Sequence, residues 1–132
     1  MKVLILMVAL LLVGCGGLDG QSVHYLRKSQ AFQTNLQTYQ RKLKEVAAVP
    51  SQQRGEAAQA LLAEVQADHK KLAELDPSPK VLPVHQELDQ LYTTMEDFIK
   101  FQLSGKGDPK ALSKQWADHL DKLQVELQHL GP

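Results

Sequence analysis

The residues able to do chemistry in this chain are few: one cysteine, five histidines, six serines and fifteen carboxylates. A metal centre needs several His, Cys, Asp or Glu at ligand spacing. His24, His69, His85, His119 and His129 are scattered instead. A di-iron bundle needs two Glu-x-x-His motifs and two further glutamates. Glu126 and His129 form one such motif, and there is no second. His69, His85 and His119 are the only weak metal candidates, should the fold bring them together. Met95 paired with His69 or His119 would be the corresponding haem ligand set, although a methionine at that spacing reads as core. Serine catalysis needs a hydroxyl on a strained turn beside oxyanion donors, whereas Ser22, Ser29, Ser51, Ser78, Ser104 and Ser113 fall at helix ends or on polar helix faces. His-Glu-x-x-His, Cys-x-x-Cys-His and glycine-rich phosphate loops are absent from the sequence. The inventory names no catalytic residue, no bound metal and no cofactor, and the chain reads as a non-enzyme.

The cysteine is more informative. Lys2 is followed by an unbroken apolar run over residues 3–13, then Gly14 and Cys15. Eleven residues span about 16 Å as a helix, at roughly 1.5 Å per residue. A bilayer core needs about 20 residues. The run is long enough to engage export machinery and too short for an ordinary membrane span. With a single thiol, no internal disulfide and no cysteine-based metal cage can form.

Leu12-Val13-Gly14-Cys15 resembles the lipobox of bacterial lipoproteins: an aliphatic residue, a small or aliphatic residue, a small residue, then cysteine. The resemblance holds at all four positions. It implies diacylglycerol on the Cys15 thiol, signal-peptidase cleavage between Gly14 and Cys15, and acylation (palmitate or similar) of the new amine. Residues 1–14 would then be a signal peptide, and residues 15–21, rich in glycine, a lipidated flexible tether. Two or three acyl chains hold a protein stably to a membrane where one does not. In two-membrane bacteria the family's inner-membrane retention signal is Asp after the cysteine. Gly16 stands there, so the resemblance implies the outer membrane, facing the periplasm. In a single-membrane organism it implies the outer face of the plasma membrane.

Any chemistry beyond the anchor must be positioned by the rest of the chain, residues 22–132, where the apolar periodicity is helical throughout. Helices are expected over about 22–48, 51–75, 81–103 and 109–130. Tyr25, Phe32, Leu36, Tyr39, Leu43 and Val46 form the first stripe. Ala58, Leu61, Leu62, Val65, Leu72 and Leu75 form the second, with Asp68 and His69 where it passes. Val84, Leu88, Leu91, Met95 and Phe98, flanked by Tyr92 and Ile99, form the third. Leu112, Trp116, Leu120, Leu123, Leu127 and Leu130 form the fourth. Ser22, Ser51 and Asp108 are the expected N-caps, Pro83 fits a first turn, and Gly105 or Gly107 is the expected left-handed stop. Four helices with one apolar stripe each and short linkers predict an all-α, antiparallel up-down four-helix bundle. The stretch LAELDPSPKVLPVHQELDQLY is similar to helix–proline–helix segments of small bacterial lipoproteins, with Leu72, Leu75, Pro77, Pro79, Leu82, His85 and Leu88 in the matching places. That similarity bears on the fold alone. His85 is expected to bond a loop carbonyl near the proline turn.

Fifteen basic and fifteen acidic side chains balance, which argues against a nucleic-acid partner. Their distribution is uneven. The first helix carries Arg27, Lys28, Arg41, Lys42 and Lys44, and the third Glu87, Asp89, Glu96 and Asp97. Pairing between these helices is one explanation, and contact of Arg27 and Lys28 with anionic headgroups the other. Gln30, Gln33, Gln37 and Gln40 suggest a polar face toward peptidoglycan, a partner or water. Two functional classes follow. One is a membrane-anchored, non-catalytic envelope lipoprotein presenting its bundle to a protein partner. The other is a periplasmic metal- or small-ligand-binding bundle. A filled Leu/Val interior favours the first, and a polar-lined interior cavity the second.

Overall fold

The computed structural model describes residues 19–130. Over these residues the chain forms four helices and no strand: α1 (Gly20–Ala48), α2 (Ser51–Ala73), α3 (Leu82–Ser104) and α4 (Pro109–Leu130). The expected all-α four-helix bundle is what forms. Gly14, Cys15 and the rest of residues 1–18 lie outside the described residues, as do residues 131–132. No described helix is long and apolar enough to cross a membrane.

Each stripe finds its place. Leu36, Val65, Leu88, Leu91, Met95, Ile99, Leu123 and Leu127 are essentially inaccessible, and Trp116 joins them. Leu62, Leu75, Leu112 and Leu130 pack on this core from its margins. The interior is mostly aliphatic, as a composition rich in Leu, Val and Ala requires, and it also takes in Tyr25, Phe32, Tyr39, Tyr92, Phe98 and Trp116.

The helices are unequal in their neighbours. α3 packs closely against all three others, whereas α4 approaches closely only α3. The cross-links give the directions. Lys42 reaches Glu64 while Asn35 reaches Asp68, so α1 and α2 run antiparallel. Tyr25 meets His85 and Tyr92 meets the Phe32 carbonyl, each pair sixty positions apart, so α1 and α3 run parallel. α3 is the most apolar of the four, as befits the central position.

Several helix ends differ from expectation. α1 is capped by Asp19, whose carboxylate accepts the Ser22 N–H at 2.7 Å. Gly20 and Gln21, read as tether, are therefore already helical. Ser22 is not a cap: it is fully buried inside α1, and its hydroxyl pairs with that of Ser78 at 2.6 Å. Asp and Ser are comparable N-caps, and capping by Asp19 leaves the Ser22 hydroxyl for Ser78 in the α2–α3 linker. Ser51 is likewise the first helical residue, behind Pro50, and caps nothing. Asp108 does cap α4, accepting the Lys110 N–H at 3.0 Å. Gly105, at φ 68°, ends α3 in the left-handed conformation that suits glycine.

Candidate functional site

A polar network gathers around Asp68 and His69 at one level, where α1, α2 and α3 meet. Asp68 occupies the position in the α2 stripe between Val65 and Leu72, where an apolar residue would continue the pattern. One of its oxygens, Oδ2, accepts the Tyr92 hydroxyl at 2.5 Å, the Tyr39 hydroxyl at 3.0 Å and the Asn35 amide at 3.0 Å. The Phe32 carbonyl, 3.1 Å from the Tyr92 hydroxyl, is a second acceptor in reach of that proton. Tyr39 and Tyr92 meet edge to face at 6.2 Å between ring centres. Burial and the charge of Asp68 push both phenols well above their ordinary acidity range, so they remain protonated donors. A half-buried carboxylate on a core stripe is thereby satisfied by one donor from each neighbouring helix and a second from α1.

His69, the next residue, turns to the other side of this level. Its Nδ1 lies 2.5 Å from Glu96 and its Nε2 2.6 Å from Asp89, residues seven apart on one face of α3. The ring stacks on Tyr92 at 5.6 Å, 27° from parallel. Burial opposes a charge on this imidazole. The hydrogen bonds to Asp89 and Glu96, together with their charges, outweigh it and hold the pKa above 6.5. The reason is geometric. Only the imidazolium has a proton on each nitrogen, and each nitrogen faces a carboxylate.

The other histidines sit elsewhere. His85 bonds the Tyr25 hydroxyl through Nδ1 at 2.8 Å, with the two rings edge to face at 5.7 Å. The expected loop carbonyl is not its partner, because α1 and not the proline turn lies against that face of α3. Burial lowers its pKa below 6.5. His119 on α4 bonds Glu87 on α3 at 2.7 Å. The three candidate metal residues His69, His85 and His119 are thus dispersed to three separate pairings, and among the described residues no three His, Cys, Asp or Glu are grouped to hold a metal ion. Met95 is core, fully buried.

Charge pairing also departs from the expected α1–α3 scheme. Of the acids of α3, Glu87, Asp89 and Glu96 are engaged by histidines from α2 and α4, and Lys42 of α1 pairs with Glu64 of α2. The glutamines of α1 are not one outward face. Gln33 and Gln40 are buried, and Gln30 and Gln37 half-buried. The buried stripe of α1 is wider than the seam read from its apolar residues, taking in Leu26, Gln33 and Gln40 alongside. Both amide atoms of Gln33 and the indole nitrogen of Trp116 are buried without a protein partner.

Tyr39, Tyr92 and Asn35 carry the central network, yet the sequence marked the tyrosines only as apolar and Asn35 not at all. One signal was available. Asp68 continues the α2 periodicity of 61, 65, 68 and 72, and a carboxylate at such a position must find donors on facing helices. Tyrosines on the opposing stripes are the natural supply.

The arrangement ties three helices together around a carboxylate and an imidazolium. Both ring nitrogens of His69 and the Oδ2 of Asp68 are held by protein partners, so the group ties the helices to one another. Comparison of the chain with protein-family models, with curated proteins and with solved structures returns no match.

Proposed function

We propose that this protein is a lipid-anchored component of the bacterial cell envelope, with acylated Cys15 as its membrane attachment and the helical bundle as a non-catalytic module presented to a protein partner. The observation that carries this reading is the lipobox Leu12-Val13-Gly14-Cys15 behind a short apolar run. Two features of the bundle support it. The first helix is capped at Asp19, four residues past the cysteine, so the bundle begins close to the proposed attachment point. The interior between the helices is filled by apolar side chains, and the carboxylate of Asp68 within it is bonded by side chains of α1 and α3, which supports a scaffold reading. Gly16 after the lipidated cysteine, in place of Asp, supports outer-membrane placement facing the periplasm in a two-membrane envelope, and the outer face of the plasma membrane in a single-membrane one.

The test is acylation. The full chain, expressed in a bacterium fed an alkyne fatty acid, is expected to take up the label, and Cys15→Ser to lose it. Wild-type chain that carries no acyl label sinks the anchor. For the partner, crosslinking in intact cells is expected to join the bundle to an envelope protein. Recovery of none above background counts against the adaptor role.

A further inference from the structure

At the end of the bundle where α1 begins, Gln21, His24, Tyr25 and Lys28 recur at helical spacing along one stripe. Opposite them stand Glu74, Leu75 and Asp76, where α2 ends. Between the two runs lies an open cleft of about 310 Å³ lined by these seven residues. That is at the small end of the range of about 300–1,000 Å³ typical of ligand sites. Tyr25 and Leu75 supply its apolar surface, and the Tyr25 ring is fixed by its bond to His85. His24, Lys28, Glu74 and Asp76 are exposed and reachable from solvent.

The charges are segregated across the cleft. The cation Lys28 and the protonatable His24 come from α1, and both carboxylates come from the α2 end. The two helices run antiparallel, so the positive end of α1 and the negative end of α2 add to the same polarity. A simple anion entering here would meet two carboxylates, and a simple cation would meet Lys28. A small zwitterion with its charges a few ångströms apart meets a complement at each end.

Position selects among zwitterions. Gln21 is six residues from Cys15, a span of at most about 20 Å of extended chain. With Cys15 acylated, the cleft lies at the membrane-facing end of the bundle. We propose that this cleft binds a phosphoethanolamine group, its phosphate toward Lys28 and His24 and its ammonium toward Glu74 and Asp76. That group is offered by the headgroup of phosphatidylethanolamine and by free glycerophosphoethanolamine. The choice of phosphoethanolamine and its membrane source rest on the anchor reading above, whereas the cleft's fit to a zwitterion does not.

The experiment is calorimetric titration of the full chain in detergent micelles with glycerophosphoethanolamine, glycerophosphate or ethanolamine. Saturable binding of glycerophosphoethanolamine is expected, with either fragment at least about tenfold weaker. Lys28→Ala and the double variant Glu74→Gln/Asp76→Asn should each weaken it by about tenfold or more while leaving helicity intact, because all three side chains are exposed. Absence of saturable binding, equal binding of glycerophosphate, or variants that bind like wild type would each overturn the site. The source is decided by repeating the titration on chain reconstituted in vesicles of phosphatidylglycerol with or without phosphatidylethanolamine. Phosphatidylethanolamine in the same membrane is expected to occupy the cleft and weaken apparent binding about tenfold. Unchanged binding there, with the micelle result intact, keeps the ligand class and overturns the lipid source. Failure of acyl labelling at Cys15 removes the anchor and leaves the micelle titration standing.

Discussion

His69 of α2 and His85 of α3 are both half-buried and both hydrogen-bonded across a helix interface, yet their proton affinities move in opposite directions. For each, burial opposes the charge. At His85 burial prevails, because the partner is a neutral phenol from Tyr25 and the charge of Asp89 acts only from a distance. At His69 burial loses, because a carboxylate bonds each nitrogen. Burial alone therefore does not set the protonation state of a bundle histidine. The partner on each ring nitrogen does, and that partner is chosen by helix register.

The largest effect should come from removing the acceptor that fixes the His69 level. Asp68→Ala leaves the Tyr39 and Tyr92 hydroxyls and the Asn35 amide without their shared oxygen. A loss of about 3 kcal/mol is expected from stranded partly buried donors, read as a lower urea midpoint. A loss under about 1 kcal/mol would mean that the Phe32 carbonyl and solvent replace the carboxylate at little cost.

Next in size is His69 itself. His69→Ala removes the stack on Tyr92 and strands Glu96, whose side chain is only 14% exposed. About 2 kcal/mol is expected near pH 6. The sign with pH follows from the raised affinity. The contribution is full below the unfolded value of 6.5 and is lost as pH rises through the higher folded value. Wild type and His69→Ala should therefore converge in stability as pH climbs past neutrality. A gap that widens instead would show that the ring is neutral in the folded state.

His85→Gln is expected to cost less, about 1 kcal/mol for one hydrogen bond to Tyr25, with the opposite pH course. Its folded affinity lies below 6.5, so its contribution is present above that value and lost as pH falls through the folded value. The difference from wild type should be full near pH 8 and shrink near pH 5, measured by the same denaturation series. Parallel pH courses for the two variants would erase the contrast between the sites.

Why one part of this was legible in the sequence and another was not follows from what a single helix can report. The stripes of α3 and α4 were readable because their buried faces are almost wholly apolar: Val84, Leu88, Leu91, Met95 and Phe98, then Trp116, Leu120, Leu123 and Leu127. In α1 the buried face includes Ser22, Ser29, Gln33 and Gln40. The width of a helix's buried face depends on how many neighbours cover it, which is a property of the assembly. The pairing of His69 with Asp89 and Glu96, and of His85 with Tyr25, depends on the axial offset between helices. Apolar periodicity fixes which face turns inward and leaves that offset open, since sliding a helix by one turn preserves the stripe.

Asp89 joins the two histidines and offers the finest test of the contrast. Its carboxylate bonds His69 at 2.6 Å and raises the affinity of His85 through its charge alone. Asp89→Asn replaces a charged acceptor with an amide of nearly equal shape, so packing is kept and the electrostatic part is removed. Asp89 is 46% exposed, so the stability change should stay within about 1 kcal/mol. The readout is therefore the histidine ring titration followed by NMR. Both affinities should fall, His69 by more because it loses a direct charged partner, and His85 by less because it loses only a distant one. His69 should still titrate above His85, since Glu96 continues to hold Nδ1. If His85 moved as far as His69, the distinction between a bonded and a remote carboxylate would fail, and the two sites would have to be treated as one coupled group.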